Sequence, residues 1–255
     1  MEAEKLTFRI GQTTLVDSLS LTVLPGEVVA IIGPNGAGKS TFLKMLSGDL
    51  PPTSGAILFD GQPLASIPRW ELAQRRAVLP QSSAVPFDFT AREVVEMGRL
   101  PHRAGADNLP IITQAMERTD TAHLQDRIVG TLSGGERQRI HLARVLAQIW
   151  HPPPTGHRWL LLDEPTSSLD LAHQHSTLRV AREFSREGVG VLVVLHDLNL
   201  AAHYADRLFL LQDGLPVACD SPDKVLVPEL IDRVFGIQTL YLPHPLTNRR
   251  VMLTV

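Results

Sequence analysis

The chain has 255 residues, 44% of them hydrophobic and 20% charged, as in an ordinary soluble globular protein. A formal net charge of −3 gives no basic excess of the kind that nucleic-acid binders carry, so we expect no nucleic-acid partner. Cys219 is the only cysteine, which excludes an internal disulfide and fits a reducing compartment. Because every apolar run is far shorter than the ~18 residues of a transmembrane helix, we expect a cytoplasmic chain.

Strand patterns dominate the first third of the chain. Alternating polar and apolar residues predict half-buried strands, and an unbroken apolar run predicts a strand covered on both faces. We therefore predict strands over 5–10, 19–24 and 28–32, a helix over 40–46 and a hairpin over 55–64. Asp60-Gly61 supplies the turn of the hairpin.

Helical periodicity replaces this pattern from about residue 89. Helices are predicted over 91–100, 111–124, 136–149 and 171–187, and strands over 159–162 and 189–195. Alternating strands and helices imply an α/β fold with a mainly parallel sheet and right-handed crossovers. We expect one domain over 1–255, divided into a core (1–83 and 147–221), a helical insertion (84–146) and a small C-terminal extension (222–255).

A glycine-rich segment between the strand at 28–32 and the helix at 40–46 fits the phosphate-binding pattern G-x-x-x-x-G-K-[ST]. Its glycines allow successive N–H groups to face a phosphate, and the helix adds its positive N-terminal end. Lys39 is expected to reach the β- and γ-phosphates, and the Ser40 hydroxyl to bind Mg²⁺. The predicted ATP-binding residues are Gly33, Pro34, Asn35, Gly36, Ala37, Gly38, Lys39, Ser40 and Thr41.

Two acidic residues follow the apolar strand at 159–162. Burial of that strand would put Asp163 and Glu164 at its carboxyl end, the usual ligand edge of an open α/β sheet. Asp163 is suited to hold Mg²⁺ through water, and Glu164 to polarise an attacking water. An acidic turn after a core strand is the alternative, which the lysine loop makes less favoured.

A second anion site is predicted where Leu132-Ser133-Gly134-Gly135-Glu136 precedes a helix. Ser-Gly-Gly turns before helices are common, so the segment alone has little specificity. The chain thus carries two phosphate-binding segments, and the first alone is accompanied by a lysine and acidic partners.

Taken together, these segments resemble the nucleotide-binding subunit of ABC transporters over nearly the whole chain. The resemblance implies a RecA-like P-loop core with an N-terminal antiparallel β subdomain and an inserted helical subdomain. It also implies a head-to-tail homodimer in which Ser133, Gly134, Gly135 and Glu136 close over the ATP of the opposite subunit. Asp170, in Ser167-Ser-Leu-Asp170, matches the loop that crosses the dimer interface.

The same resemblance assigns two further residues. Gln81 lies where the family has a glutamine that senses Mg²⁺ and the lytic water, and His196 matches a histidine that contacts the γ-phosphate. The implied catalytic residues are Glu164, His196 and Gln81, and the implied Mg²⁺ residues are Ser40, Gln81 and Asp163. One position departs from the family, because Ile10 stands where an aromatic residue stacks on adenine. Phe8 is the candidate substitute, and GTP stays an alternative nucleotide.

The cargo is suggested by weaker similarities. The segment 89–102 resembles importer ATPases for iron chelates, haem and cobalamin, and 76–83, 143–150 and 169–175 are most similar to haem importers. Ferric siderophores and cobalamin remain alternatives. The resemblance implies two membrane-spanning permease subunits, a periplasmic substrate-binding protein and a peripheral place on the cytoplasmic face of the bacterial inner membrane.

No direct haem contact is expected, because the cargo of such systems passes through the membrane subunits. His173 and His175 lie two residues apart on a predicted helix, so they point in different directions and do not form one ligand pair. Two other classes remain open. A soluble ABC protein of DNA repair or translation would typically carry a long coiled-coil insertion or tandem cassettes, and a P-loop kinase would not need the Ser133–Gly135 segment.

Overall fold

Strands and helices alternate along most of the chain. The computed structural model describes residues 1–82, 87–102, 108–243 and 250–255. The strands within these ranges are β1 (Glu2–Ile10), β2 (Thr13–Thr22), β3 (Val28–Ile32), β4 (Ser54–Phe59), β5 (Gln62–Pro63), β6 (Arg76–Leu79), β7 (Arg158–Asp163), β8 (Val189–Val194), β9 (Arg207–Gln212), β10 (Leu215–Asp220), β11 (Thr239–Pro243) and β12 (Arg250–Thr254). The α-helices there are α1 (Lys39–Leu46), α2 (Arg69–Arg75), α3 (Ala91–Glu96), α4 (Asn108–Arg118), α5 (Gly134–Gln148), α6 (Leu171–Arg186), α7 (Leu198–Tyr204), α8 (Pro222–Val225) and α9 (Pro228–Phe235).

A six-stranded sheet in the order β10-β9-β3-β8-β7-β6 forms the centre of the molecule. Its strands run parallel except for β10, which is antiparallel to β9. Every residue of β3, β7 and β8 is buried, because their runs of Val, Leu and Ile gain most when both faces leave water. The carboxyl ends of β3, β6, β7 and β8 consequently share one edge of the sheet, as the sequence predicts.

The two faces of this sheet pack into different apolar clusters. On β3, Val28, Ala30 and Ile32 belong to a first cluster that also contains buried residues of α6, α7 and α9. Val29 and Ile31 belong to a second cluster, shared with α1 and with an antiparallel sheet in the order β2-β1-β4-β5. The fold is therefore a layered α/β structure with an antiparallel β unit at its N-terminal side, as predicted.

The predicted hairpin is present, since Phe59 pairs with Gln62 across the turn at Asp60-Gly61. The predicted second strand is displaced, because β2 starts at Thr13 and ends at Thr22 before a turn in which the Glu27 carboxylate accepts from the Leu24 N–H at 2.9 Å.

The helical segment packs α3, α4 and α5 around a third apolar cluster of residues between Ala91 and Ala147. The helices predicted over 91–100 and 111–124 are too long. A 3₁₀ turn replaces α3 at Met97, where Gly98 lies so close to the Arg144 carbonyl that a Cβ would be 2.2 Å from its oxygen. The helix α4 ends at Arg118, and Asp120 turns the chain with a φ of 53°.

The predicted boundary between 83 and 84 lies outside the described residues. The division into 1–83, 84–146, 147–221 and 222–255 therefore stays a prediction. The C-terminal residues Val225, Ile231 and Val234 are buried in the first cluster, so the tail shares the core of the central sheet. In the described part of the chain, no helix has both the length and the apolar character needed to cross a membrane.

Asp60 joins three elements near the second cluster. Its carboxylate binds the buried Arg75 guanidinium of α2, accepts from the His157 backbone N–H at 3.0 Å and lies 2.7 Å from the His157 ring Nδ1. Burial alone would raise the pKa of Asp60, but the hydrogen bonds from His157 and the charge of Arg75 outweigh it and hold the pKa below its ordinary value of 3.8.

Replacing Asp60 by asparagine should lower the free energy of unfolding by about 2 kcal/mol at pH 7, because Arg75 loses a charged acceptor. Asparagine tolerates the φ of 51° as aspartate does, so the turn itself is preserved. A carboxyl whose pKa is lower in the folded state stabilises the fold fully above 3.8 and loses that contribution as the pH falls through the folded-state value. Urea unfolding should show a smaller difference in the free energy of unfolding between wild type and Asp60→Asn at about pH 3 than at pH 7. An equal difference at both pH values would contradict the stabilising role of the Asp60 carboxylate.

Candidate nucleotide-binding site

The lysine loop connects β3 to α1 at the common edge of the sheet. Lys39 is buried, and its Nζ donates to the carbonyl oxygens of Gly33 and Pro34, each at 2.8 Å. Burial lowers the pKa of Lys39, although the carboxylates of Glu164 and Asp163 act in the opposite direction. The ammonium is thus held by two backbone oxygens, which a phosphate group can replace as its partners.

The remaining loop residues differ in exposure. Asn35 and Gly36 are exposed, Ala37 is buried, and Pro34 and Thr41 are half-buried. The first turn of α1 has no acidic residue, and its N-cap is Gly38, which offers no capping side chain. No side chain of α1 itself therefore compensates the positive end of the helix, which favours an anion there.

Ser40 and Asp163 meet at the base of this loop. The Ser40 hydroxyl donates to Asp163 Oδ1 at 2.9 Å, and Asp163 is buried at the last position of β7. Burial raises the pKa of Asp163, against the effect of the Ser40 hydrogen bond. A hydroxyl beside a carboxylate is the oxygen donor set that Mg²⁺ prefers.

Three loops converge on the carboxylate of Glu164. Gln81, two residues beyond β6, donates from Nε2 to Glu164 Oε2 at 2.8 Å. His196, two residues beyond β8, has Nε2 2.6 Å from Glu164 Oε1. Glu164 itself follows β7 with a φ of 49°, a left-handed conformation that a non-glycine residue adopts at a cost of about 1–2 kcal/mol. The structure thus brings the three predicted catalytic residues together.

The second predicted anion site lies at the start of α5. Ser133 caps α5, with its N–H and hydroxyl donating to Glu136 Oε2 at 2.8 and 2.7 Å, and these bonds lower the pKa of Glu136. Asp170 caps α6 and accepts from the His173 N–H at 2.9 Å. Among the described residues, no hydrogen bond or ion pair joins Ser133–Glu136 or Asp170 to Lys39 or Ser40.

The two parts of this separate group touch each other. A Cβ placed on Gly135 would lie 3.2 Å from the Ser168 carbonyl oxygen, and one on Gly134 would lie 3.8 Å from Ser168 Cβ. The Ser-Gly-Gly turn and the loop before Asp170 consequently form one continuous surface of the chain.

The predicted base-stacking position is exposed. Ile10 ends β1 with 61% of its surface accessible, whereas Phe8 packs against the second apolar cluster and is half-buried. Ile10 is therefore more accessible than Phe8 to a nucleotide base.

Sequence reasoning missed the support beneath the lysine loop. The Gly214 N–H donates to the Ala37 carbonyl at 3.2 Å, and the Gly214 carbonyl accepts from the Asp17 N–H at 2.9 Å. This turn between β9 and β10 therefore buttresses the loop from a distant part of the chain. The dipeptide Asp213-Gly214 signals a turn, but nothing in the sequence says which loop it contacts.

A comparison with protein families gives the class of protein. Residues 16–167 match the family described as ABC transporter. Because this match covers more than half of the 255 residues and the fold and site agree with it, the chain belongs to the ABC transporter family, in its class of ATPase subunits.

Particular relatives are similar over nearly the full length. The chain is 53% identical over 248 residues to the "Hemin import ATP-binding protein HmuV" of Gloeobacter violaceus, covering 96% of this chain and 90% of that protein. It is 50% identical over 246 residues to the protein of the same name from Pseudomonas aeruginosa, covering 96% of each.

Solved structures of ABC ATPases share the fold. A transporter described as metal-chelate type, in an inward-facing conformation, matches with a TM-score of 0.81 at 25% identity, over 100% of this chain and 96% of that one. The dimeric ABC transporter cassette MJ0796 matches with a TM-score of 0.76 at 26% identity, over 87% of this chain and 98% of that one.

Gly38→Ala is expected to destabilise the fold more than Gly36→Ala does. The two glycines have φ values of 91° and 81°, so both alanines bear a similar backbone strain of about 1 kcal/mol. A Cβ on Gly38 would lie 2.6 Å from the Leu15 carbonyl oxygen, whereas one on Gly36 would have nothing within 4 Å. That steric clash adds about 1–3 kcal/mol. Chemical unfolding without nucleotide compares the pair, and equal losses would show that the loop is not held against β2.

Proposed function

We propose that this chain is the ATP-hydrolysing subunit of an importer that carries haem across a bacterial inner membrane. The observation that supports hydrolysis best is the contact of one carboxylate, Glu164, with both Gln81 and His196 at the sheet edge that also bears the Lys39 loop. The cargo is supported by relatives about half identical over nearly the whole chain, which carry the name hemin import ATP-binding protein.

The lysine loop would bind the phosphates of ATP. The segment Gly33 to Thr41 would supply backbone N–H groups, from every residue except Pro34, and the Lys39 ammonium. That ammonium would exchange its backbone carbonyl partners for phosphate oxygens. Ser40 and Asp163 would hold Mg²⁺, with Gln81 nearby, and the ion when bound neutralises phosphate charge.

Hydrolysis would use the residues around Glu164. Its carboxylate would accept a proton from the water that attacks the γ-phosphate. Gln81 orients the water through its amide, and His196 donates to the γ-phosphate from the imidazole that now faces Glu164.

A second copy of the chain would complete the site. Ser133, Gly134, Gly135 and Glu136, with Asp170, would contact the ATP bound by the partner subunit, an arrangement with two-fold symmetry. Among the described residues, Lys39 and Ser40 bond to Gly33, Pro34 and Asp163 and not to these residues, which is consistent with their serving a partner's nucleotide. Binding of the γ-phosphate would then close the dimer.

Transport requires proteins that span the membrane. We propose two permease subunits and a periplasmic substrate-binding protein as partners, with this chain on the cytoplasmic face of the inner membrane. Dimer closure would move the Gln81 loop and the helical segment 84–146, which face the permease. Haem would stay within the membrane subunits during transport.

Glu164→Gln should leave ATP binding unchanged while reducing hydrolysis by about 100-fold or more, because general-base catalysis contributes 10²–10⁴-fold. The amide keeps the shape of the side chain but does not accept the proton. ATP should therefore trap the variant as dimers, which sedimentation with and without ATP will detect. Lys39→Ala is the matched control that should prevent both binding and dimer formation. Normal turnover by the glutamine variant would refute the assignment of the base, and a monomer in ATP would favour a P-loop kinase.

Haem uptake should be lost in cells without this gene and restored by the wild-type gene but not by Lys39→Ala. Labelled haem, a ferric siderophore and cobalamin are measured in parallel. Loss of siderophore or cobalamin uptake instead of haem uptake would be consistent with the proposed ATPase role but would overturn haem as the proposed cargo. Unchanged uptake of all three would remove importer function altogether.

A further inference from the structure

The C-terminal hairpin reaches the helix that follows His196. The Asn199 side chain donates from Nδ2 to the Met252 carbonyl at 3.1 Å and accepts from the Met252 N–H at 2.9 Å. Both hydrogen-bonding groups of one β12 residue are thus taken by one side chain of α7, as a neighbouring strand would take them. We call this pair of hydrogen bonds the Asn199–Met252 clasp.

The clasp lies one helical turn from a proposed catalytic residue. His196 leaves β8, Asp197 caps α7 by accepting from the Leu200 N–H at 2.9 Å, and Asn199 falls in the first turn of that helix. Any rotation of this first turn would carry the His196 backbone with it and change the 2.6 Å distance to Glu164.

The helix α7 depends on such outside contacts for its position. It has seven residues, and a helix of that length is marginal without tertiary contacts. Its buried side chains Leu198, Leu200 and Ala201 pack on the first cluster, as do Tyr241 and Met252 of the hairpin. At its other end, the Tyr204 hydroxyl donates to the His175 carbonyl of α6 at 3.1 Å.

We propose that Asn199 is a positioning residue, whose clasp on the C-terminal hairpin fixes the backbone of His196 beside Glu164, from where its imidazole would reach the γ-phosphate for ATP hydrolysis. The inference rests on the function proposed above for His196. It assigns the hairpin of β11 and β12 a role in the catalytic step, although the hairpin lies far from the lysine loop in the sequence. The hairpin does not touch nucleotide in this proposal.

Asn199→Ala should lower kcat about five-fold with little change in KM for ATP, the scale of one or two net hydrogen bonds. The matched control is Tyr204→Phe, which loosens the same helix at the end away from His196 and should keep kcat near wild type. Asn199→Asp still accepts from the Met252 N–H, so its kcat should lie between those of Asn199→Ala and wild type. Full-length purified protein is assayed by steady-state and single-turnover hydrolysis, with thermal melting recorded for each variant.

A double-mutant cycle distinguishes positioning from loss of stability. In a His196→Ala background, Asn199→Ala should produce no further loss of single-turnover rate, because its effect passes through His196. Additive losses, an unchanged kcat, a rise in KM alone or an equal loss in Tyr204→Phe would each overturn the proposal. A His196→Ala variant that hydrolyses ATP normally would instead refute the proposed function, which makes the two failures distinguishable.

Discussion

The parallel pairing of β3, β6, β7 and β8 is the constraint on which the site depends. Buried runs of Val, Leu and Ile leave no room for polar groups within the strands, so polar residues occur only where the strands end. Val194 of β8 pairs with Ile31 of β3 on one side and with Asp163 of β7 on the other. The carboxyl ends of these three strands therefore lie side by side, with neighbouring strands about 4.8 Å apart. Groups far apart in sequence consequently meet within hydrogen-bond distance, without any local sequence that encodes their contact.

The same burial leaves the site with charged side chains whose direct hydrogen-bond partners in the protein are uncharged. Lys39 has a lowered pKa and Asp163 a raised one, and burial is the main cause of both shifts. Their partners are backbone carbonyls and one hydroxyl, which are weaker than full counter-charges. A phosphate with its cation would supply the missing charge. Burial of these charges thus costs stability that nucleotide binding would offset, a common property of functional sites.

The sequence predicted what periodicity and motif spacing encode, and missed what depends on tertiary contact. The strand β3 and the turn at Asp60-Gly61 were correct because each has a local physical cause. The short elements α2, β6 and α7 were not predicted, since segments of four to seven residues carry too little pattern of their own. The Gln81 and His196 roles came from family resemblance, and the positive φ of Glu164 has no signal in the sequence.

The two groups of residues that we propose to bind phosphate would also explain how paired sites communicate. The Ser167 N–H and hydroxyl both donate to the Glu164 carbonyl, at 3.3 and 3.1 Å. Ser167 starts the loop whose next residue, Ser168, lies against Gly135 of the other group. In the proposed dimer, Glu164 would be the base for one ATP, and its backbone carbonyl is hydrogen-bonded to the loop that adjoins Gly135. Gly135 belongs to the surface that would contact the second ATP. Occupation of either site would shift the geometry of the other, so the two hydrolysis events would not be independent.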